Sequence, residues 1–199
     1  MAKKALKGTK TIENLMKAFA GESQARNRYT MYAGVASGEG HEVIQNVFLT
    51  TAENERLHAK EFYKFIIEGL ENGEYTHLPV NAEYPVAMGT TEENLISAAK
   101  GEHEEFAELY MQFGDVAEQE GFKDIAFKFR TIAKIEEHHE QRYLAYAKML
   151  KDGTLYKKDA KVEWLCRKCG YVHTDMSAPE VCPVCAHPKG YFELLLKPY

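Results

Sequence analysis

Cysteine is absent from this chain before Cys166, and all four cysteines lie between that position and the C-terminus. Two closely spaced cysteine pairs are typical of metal ligation in a reducing compartment, so a disulfide framework is not expected. No stretch approaches the roughly 18 apolar residues of a membrane-spanning helix, and no apolar run follows the lysines near the N-terminus. We therefore expect a cytoplasmic protein with neither a signal peptide nor a membrane partner.

An excess of positive charge is also missing, since 25 lysines and arginines against 30 aspartates and glutamates leave a net charge of −5. This balance argues against nucleic acid as a partner. Apolar residues make up 45% of the chain, which is enough for a buried core. The length of 199 residues suits one large domain, or a domain of about 150 residues with a small module.

Four long stretches have the apolar periodicity of amphipathic helices, and they cover residues 11–36, 41–71, 91–119 and 122–151. Thr90 and Glu93 form a predicted capping box at the start of the third stretch. Residues 72–90 contain Pro79 and Pro85 and cannot be helical throughout. This long connection could extend about 60 Å and return along the bundle. Two hairpins joined by one long crossover predict a mainly α, ferritin-like four-helix bundle.

The second and fourth helices each contain a Glu-x-x-His motif, Glu55 to His58 and Glu136 to His139. Positions i and i+3 lie on one face of a helix, so each pair of side chains can aim at one point. A single glutamate precedes each motif at almost the same interval, Glu22 before Glu55 and Glu102 before Glu136. Two helices with one glutamate and two with Glu-x-x-His are typical of carboxylate di-iron bundles.

The two hairpins also repeat each other. Seven residues recur 80 positions later, namely Thr11, Glu13, Asn14, Leu15, Ala18, Gly21 and Glu22, while Glu55 and His58 recur 81 positions later. Counted from the turns at about 1.5 Å per residue, the four glutamates fall near mid-bundle height. The repeat therefore predicts a two-fold arrangement in which each hairpin supplies half of a metal pair.

A Glu-x-x-His motif can also occur by chance. A third one runs from Glu74 to His77 in the crossover, outside any predicted helix. Unpaired carboxylates on a core face would each cost several kcal/mol, however. Two cations would remove this cost, and carboxylate with imidazole ligands suits iron or manganese. The paired motifs on the second and fourth helices therefore favour a metal site.

Glu105 breaks the repeat, because the matching position in the first hairpin is Ala25. It lies three residues after Glu102 on the same helical face, which would make it a fifth carboxylate of the site. The alternative is a solvated side chain, as we expect for Glu104 and Glu108. Spacing alone does not decide between these interpretations.

The C-terminal cysteines have the pattern Cys-x2-Cys-x12-Cys-x2-Cys and are Cys166, Cys169, Cys182 and Cys185. Four thiolates at this spacing predict a tetrahedral site for either zinc or a single iron. A structural zinc ribbon is thus the alternative to an iron site. So small a module needs its metal in order to fold. Its predicted aromatic core consists of Trp164, Tyr171, Tyr191 and Phe192.

Over essentially its whole length the chain resembles the rubrerythrin family. The similarity lies in the stretch from Ala20 to Tyr29, in Gly101-Glu102-x-x-Glu105, and in rubredoxin-like knuckles that read Cys-x-x-Cys-Gly-Tyr and Cys-Pro-x-Cys. The resemblance implies a di-iron bundle over residues 1–155 and an Fe(Cys)4 domain over residues 156–199. The first iron would use Glu22, Glu55, Glu136 and either His58 or Glu105, exchanging with the redox state. The second would use Glu55, Glu102, Glu136 and His139.

The resemblance further implies a non-haem peroxidase that reduces hydrogen peroxide to water and protects against oxidative stress. Its electrons would come from NADH through a separate NADH-dependent reductase or rubredoxin, since the chain has no dinucleotide fingerprint. It also implies a homodimer with electron transfer between subunits. Whether the two subunits exchange helices is left open. Tyr29 and Tyr110 match tyrosines near the family's site, although both would suit core packing. His103 and His138 lie off the ligand face.

Two other functions use parts of this pattern. A ferroxidase or other iron-handling ferritin-like protein would share the bundle but needs no thiolate module. A structural protein with a zinc ribbon would leave five core carboxylates without a cation. Zinc could also replace iron at either site under expression conditions, so metal content with an optical spectrum discriminates between these functions.

Overall fold

The computed structural model describes residues 5–70 and 76–197, and most of them are helical. The elements, in chain order, are α1 (Lys10–Gly38), α2 (Glu42–Gly69), α3 (Thr91–Glu104), a π-helix (Glu105–Leu109), α4 (Tyr110–Gln119), α5 (Lys123–Lys151), β1 (Lys157–Cys166), β2 (Val172–Ser177), a 3-10 helix (Lys189–Tyr191) and β3 (Phe192–Leu194). The predicted four-helix bundle with one long crossover is confirmed. The predicted end of the second helix at residue 71, and Glu74 of the third Glu-x-x-His, lie outside the described residues.

Local signals define where the helices begin and turn. The side chain of Thr9 accepts a hydrogen bond from the backbone N–H of Ile12 and caps α1. The predicted capping box of Thr90 and Glu93 is present at the start of α3. Gly40 has φ 79°, a left-handed conformation that favours glycine in the tight turn between α1 and α2. The two caps thus fix the starts of α1 and α3, and Gly40 allows the short turn of the first hairpin.

The crossover passes over the middle of α1 instead of standing away from the bundle. The hydroxyl of Tyr84 donates to the carbonyl of Lys17 at 3.0 Å, and Tyr32 of α1 donates to the carbonyl of Ala87 at 2.8 Å. Beneath it, a Cβ on Gly21 would lie 3.5 Å from the Tyr84 ring. That distance is an ordinary van der Waals contact, so the Tyr84 ring lies directly over α1 at position 21.

The third predicted helix is present over residues 91–119, but it contains a π-helical segment that was not predicted. The π-helix Glu105–Leu109 separates α3 from α4. A π-helical turn accommodates one inserted residue. The internal repeat shows that insertion, because the offset from Glu22 to Glu102 is 80 positions, whereas the offset from Tyr29 to Tyr110 is 81. The repeat loses its exact spacing at the segment that carries Glu105.

Three apolar clusters make up the core of the described chain. One lies towards the α1–α2 turn and includes Tyr29, Phe48 and Tyr143, and another lies towards the opposite end and includes Phe62 and Phe129. The third belongs to the cysteine module, whose sheet has the order β2-β1-β3. Trp164 and Phe192 are buried there as predicted, and Tyr171 packs against them. Tyr191 instead contacts the ring of His187, with centroids 4.7 Å apart.

The cysteine module packs closely against the α1–α2 turn. A Cβ on Gly190 would lie only 1.8 Å from the carbonyl oxygen of Gly40, so no other residue fits there without movement. Arg167 donates to the carbonyl of Glu42 at 3.0 Å, and Tyr156 packs against both the bundle core and the module core. Among the residues described here, no helix has the length and apolar character needed to cross a membrane.

Candidate metal centre

Six of the predicted site residues meet in the interior of the bundle. α1 and α3 each contribute one glutamate, and α2 and α5 each contribute a glutamate with a histidine one turn later. All six side chains are buried: Glu22, Glu55, His58, Glu102, Glu136 and His139. They form two overlapping groups of four in which the donor atoms lie within 4.8 Å of one another.

The first group surrounds the ring nitrogen Nδ1 of His58. This atom lies 2.8 Å from Oε2 of Glu55, 2.9 Å from Oε1 of Glu136 and 3.6 Å from Oε2 of Glu22. Ligands that each sit about 2.1 Å from one ion are themselves about 3 to 3.5 Å apart. The spacing of the first group therefore fits one metal ion.

The second group repeats the first around His139. Its Nδ1 lies 2.8 Å from Oε2 of Glu136, 3.2 Å from Oε1 of Glu55 and 3.8 Å from Oε2 of Glu102. Glu55 and Glu136 thus present one oxygen to each group. This is the arrangement of two carboxylates that bridge a pair of metal ions.

The donor atoms of both groups lie close together without the geometry of hydrogen bonds. Eight buried atoms of these two groups form no hydrogen bond within the described chain: Nδ1 of His58 and His139, Oε2 of Glu22 and Glu102, and both oxygens of Glu55 and Glu136. Buried polar atoms are rarely left unsatisfied, and each costs about 1–3 kcal/mol or more when charged. Four atoms belong to each group, so two cations would satisfy all eight. The residues present fit a di-metal site.

Two tyrosines hold the remaining oxygens of the terminal glutamates. Tyr110 donates to Oε1 of Glu22, and Tyr29 donates to Oε1 of Glu102, both at 2.6 Å and both buried. Each hydrogen bond leaves Oε2 of its glutamate for the metal side. The two tyrosines therefore orient the carboxylates as well as filling the core, and they are related by the internal repeat.

The pKa shifts of the buried ligand side chains also favour bound cations. Burial raises the pKa of Glu22 from 4.5 to about 8, against the lowering effect of its contact with His58. Burial and the neighbouring Glu136 raise the pKa of Glu55, and burial with the charge of Glu22 raises that of Glu136. Burial alone would lower the pKa of His139, but contacts with Glu102, Glu136 and Glu55 raise it to about 12.

Glu105 lies beside the centre and outside both groups of four. It is half-buried in the π-helix, whereas Glu104 and Glu108 are exposed as predicted. Burial, and next the charge of Glu22, raise the pKa of Glu105 well above its usual value. Of the off-face histidines, His138 is exposed, and exposed His103 contacts Glu140 at 3.0 Å.

The four cysteines converge where β1, the central strand of the sheet, ends at Cys166. Sγ of Cys166 lies 3.7 Å from that of Cys185, and Sγ of Cys169 lies 3.6 Å from that of Cys182. A disulfide would require about 2.05 Å. Four sulfurs about 2.3 Å from a central ion are about 3.8 Å apart in a tetrahedron. The module therefore has the geometry of an S4 metal site.

Comparison with known proteins agrees with both sites. Residues 13–147 match the rubrerythrin family, and residues 164–193 match the rubrerythrin rubredoxin-like domain. Rubrerythrin-1 of Clostridium acetobutylicum is 54% identical over 98% of this chain and 100% of its own length. A fully reduced structure of nigerythrin is 32% identical, with a TM-score of 0.63 over 96% of this chain and 92% of that one. A bacterioferritin of Desulfovibrio desulfuricans is 25% identical, with a TM-score of 0.62 over 73% of this chain and 82% of that one.

The bundle and its paired carboxylate–histidine groups define a ferritin-like di-iron protein with a rubredoxin-like module. The donor sets and the comparisons support two irons in the bundle and one in the four-cysteine site. The chain belongs to the rubrerythrin family.

Metal removal is expected to make stability fall as pH rises. In the folded protein Glu22 keeps its proton up to its pKa of about 8, whereas the unfolded chain releases this proton near pH 4.5. His139 likewise keeps its proton in the folded protein above pH 6.5, where the unfolded chain releases it. Because the folded state then binds more protons, the free energy of unfolding should drop, on the order of several kcal/mol, between about pH 5 and pH 8. Urea unfolding followed by helical circular dichroism measures it. The iron-loaded protein is the control and should lack this drop; constant or rising stability of the metal-free protein would contradict the prediction.

Proposed function

We propose that this protein is a peroxidase that reduces hydrogen peroxide to water. In this proposal its electrons come from NADH through a separate NADH-dependent reductase or rubredoxin. The observation that carries the proposal is the centre of eight donor atoms without hydrogen bonds, with a further carboxylate, Glu105, beside it. Membership of the rubrerythrin family and the attached S4 module support it. Iron storage alone needs neither the module nor the extra carboxylate.

In this proposal Glu22 and His58 would hold one iron, and Glu102 and His139 would hold the other. Glu55 and Glu136, which present one oxygen to each group, would serve both irons. When bound, the iron pair supplies two electrons together and stabilises the negative charge that develops as the O–O bond breaks. Tyr29 and Tyr110 hold the terminal carboxylates in place during this change. These two hydrogen bonds preorganise Glu22 and Glu102, so the redox-linked change is confined to other ligands.

Glu105 is the group to which we assign the redox-linked change. Its carboxylate forms no hydrogen bond or ion pair within residues 5–70 and 76–197, and Glu22 of the first group is the charge that affects it most. We propose that Glu105 and His58 compete for the first iron as its oxidation state changes. The matching position of the first hairpin is Ala25, so in this proposal the second iron keeps His139 throughout.

Electron delivery is assigned to the cysteine module. We place the di-iron domain in residues 1–155 and the rubredoxin-like domain in residues 156–199. One iron in the four-cysteine site would pass electrons singly to the bundle. The module packs at the α1–α2 turn, and the glutamates lie near mid-bundle, so we propose transfer between the subunits of a cytoplasmic, head-to-tail homodimer.

The decisive experiment is stopped-flow oxidation of the fully reduced protein. We expect hydrogen peroxide to oxidise it at least about tenfold faster than dioxygen at equal concentration, a difference of about 1.4 kcal/mol in activation free energy. The reoxidised four-cysteine iron provides the optical signal, and anaerobic buffer without peroxide provides the control. Equal or faster oxidation by dioxygen would instead support the ferroxidase alternative.

Replacing Glu105 with alanine is expected to slow peroxide turnover roughly 10- to 100-fold, as loss of a supporting carboxylate does at other metal sites. Iron content should stay unchanged, because all eight donor atoms of the two groups remain. Glu108→Ala removes an exposed carboxylate of the same π-helix and is the matched control. Wild-type turnover in Glu105→Ala would show that the proposed ligand exchange is wrong.

A further inference from the structure

A cavity of about 430 Å3 lies beside the metal centre, between α1, the crossover and the π-helix. Hydrogen peroxide is about the size of two water molecules, each of which takes up roughly 30 Å3 in the liquid. Pockets for organic ligands occupy about 300–1,000 Å3. The cavity is therefore several times larger than the substrate of the proposed reaction requires.

The floor of this cavity is polar and belongs to the centre. Glu105 and Tyr110 both line it. Tyr110 is buried and donates to Glu22, so a molecule on the floor would be one residue away from the first donor group. A reacting O–O group could thus reach the centre from this side of the bundle.

Much of the remaining wall is apolar. Its apolar part consists of Ala18 of α1, Tyr84 and Pro85 of the crossover, and Leu109 and Phe113 beyond α3, while Gln24, Asn81 and Gln112 add polar lining. Hydrogen peroxide has no carbon atoms to place against such walls. An alkyl or aryl group does, and burying it would contribute about 25 cal/mol for each Å2 of apolar surface.

The rim carries mostly negative charge. Glu83, Glu104 and Glu108 are exposed around the cavity, and Lys17 is the one basic residue that lines it within the described chain. A mouth of this sign repels anions and raises no barrier to neutral molecules. The cavity therefore selects against superoxide and against hydroperoxides that carry a carboxylate.

We propose that the same centre reduces small, neutral alkyl hydroperoxides, with the organic group held in this cavity. The inference rests on the proposed peroxidase function and extends its substrate class. The reaction is ROOH + 2 H+ + 2 e− → ROH + H2O. The O–O bond breaks, each oxygen gains an O–H bond in its product, and the reduced iron pair supplies both electrons. The two protons come from solvent, and the alcohol leaves through the cavity.

The test compares cumene hydroperoxide with hydrogen peroxide in the iron-loaded protein and in Leu109→Trp, which narrows the cavity for an organic group but leaves room for hydrogen peroxide. Leu109 is 41% exposed, so a larger side chain can be accommodated without repacking the core. We expect kcat/KM for cumene hydroperoxide to fall at least about tenfold and that for hydrogen peroxide to change less than about twofold. Leu49→Trp is the matched control, because Leu49 is 43% exposed and lies away from the cavity.

A binding measurement separates the cavity from the chemistry. The product alcohol, 2-phenyl-2-propanol, should give saturation-transfer NMR signals with the iron-loaded wild-type protein and lose them in Leu109→Trp but not in Leu49→Trp. If hydrogen peroxide is reduced and cumene hydroperoxide is not, the extension is wrong and the proposed function stands. If neither is reduced, the proposed function itself fails. Equal loss of both activities in Leu109→Trp, or unchanged alcohol binding, would also overturn the assignment to this cavity.

Discussion

Replacing Glu136 with glutamine is expected to empty the bundle of iron and to lower peroxide turnover at least about 100-fold. Glu136 gives one oxygen to each group of donors, at 2.9 Å from His58 and 2.8 Å from His139. Glutamine keeps the shape of the side chain, but its amide nitrogen cannot act as a ligand. One substitution therefore removes a donor from one metal position and ends the sharing of this side chain between the two positions.

Metal analysis and unfolding together check this prediction. The wild-type protein should contain three irons per chain and the variant only the one in the four-cysteine site. With iron bound, the wild-type protein should be the more stable of the two. Without metal, Glu136→Gln should be the more stable, because it removes one of several like charges that burial makes costly. Glu137→Gln changes the exposed neighbour and should match the wild type in both measurements. Full iron content in Glu136→Gln would contradict the bridging role.

Replacing Cys182 with serine is expected to abolish NADH-driven turnover while leaving the bundle able to react with peroxide. Cys182 is buried, and its Sγ lies 3.6 Å from that of Cys169. The cluster around Trp164 and Phe192 is small, so the module depends on its metal for folding. The visible absorption of the four-cysteine iron should disappear, and the electron entry with it.

Chemical reduction distinguishes lost electron delivery from a damaged centre. A dithionite-reduced Cys182→Ser protein should still consume about one peroxide per iron pair in a single turnover, with two irons per chain. Val184→Ser is the control, because Val184 belongs to the same knuckle and is 67% exposed. If steady-state turnover with NADH and reductase persists in Cys182→Ser, electrons enter the bundle by another route.

The asymmetry of the centre has a structural origin in the backbone. Two nearly identical hairpins build two nearly identical donor groups, each with its own tyrosine. One inserted residue in the second hairpin forms a π-helix, and Glu105 lies in it. The same segment contributes Glu105 and Leu109 to the cavity. A single insertion thus accounts both for the extra carboxylate and for part of the pocket beside it.

The sequence alone was sufficient for the bundle, for both Glu-x-x-His motifs and for the pairing of each with a distant glutamate. It was also sufficient for the four thiolates. All of these depend on helical periodicity or on short cysteine spacing, which are local properties of the chain. The two-fold repeat extended this local information to the relation between hairpins, because equal spacing places equivalent residues at equal heights.

Only the tertiary structure decided how individual atoms are used. From the sequence, Tyr29 and Tyr110 suited core packing as well as a role at the metal site. In the structure their hydroxyls lie 2.6 Å from Glu102 and Glu22. The π-helix was not predicted because one extra residue barely alters the apolar pattern of a helix. Tyr191 was predicted in the module core but contacts the ring of His187. The division of the oxygens of Glu55 and Glu136, and the cavity beside Glu105, arise where several helices meet. Such contacts join residues far apart in the chain, so their geometry depends on packing that no local spacing encodes.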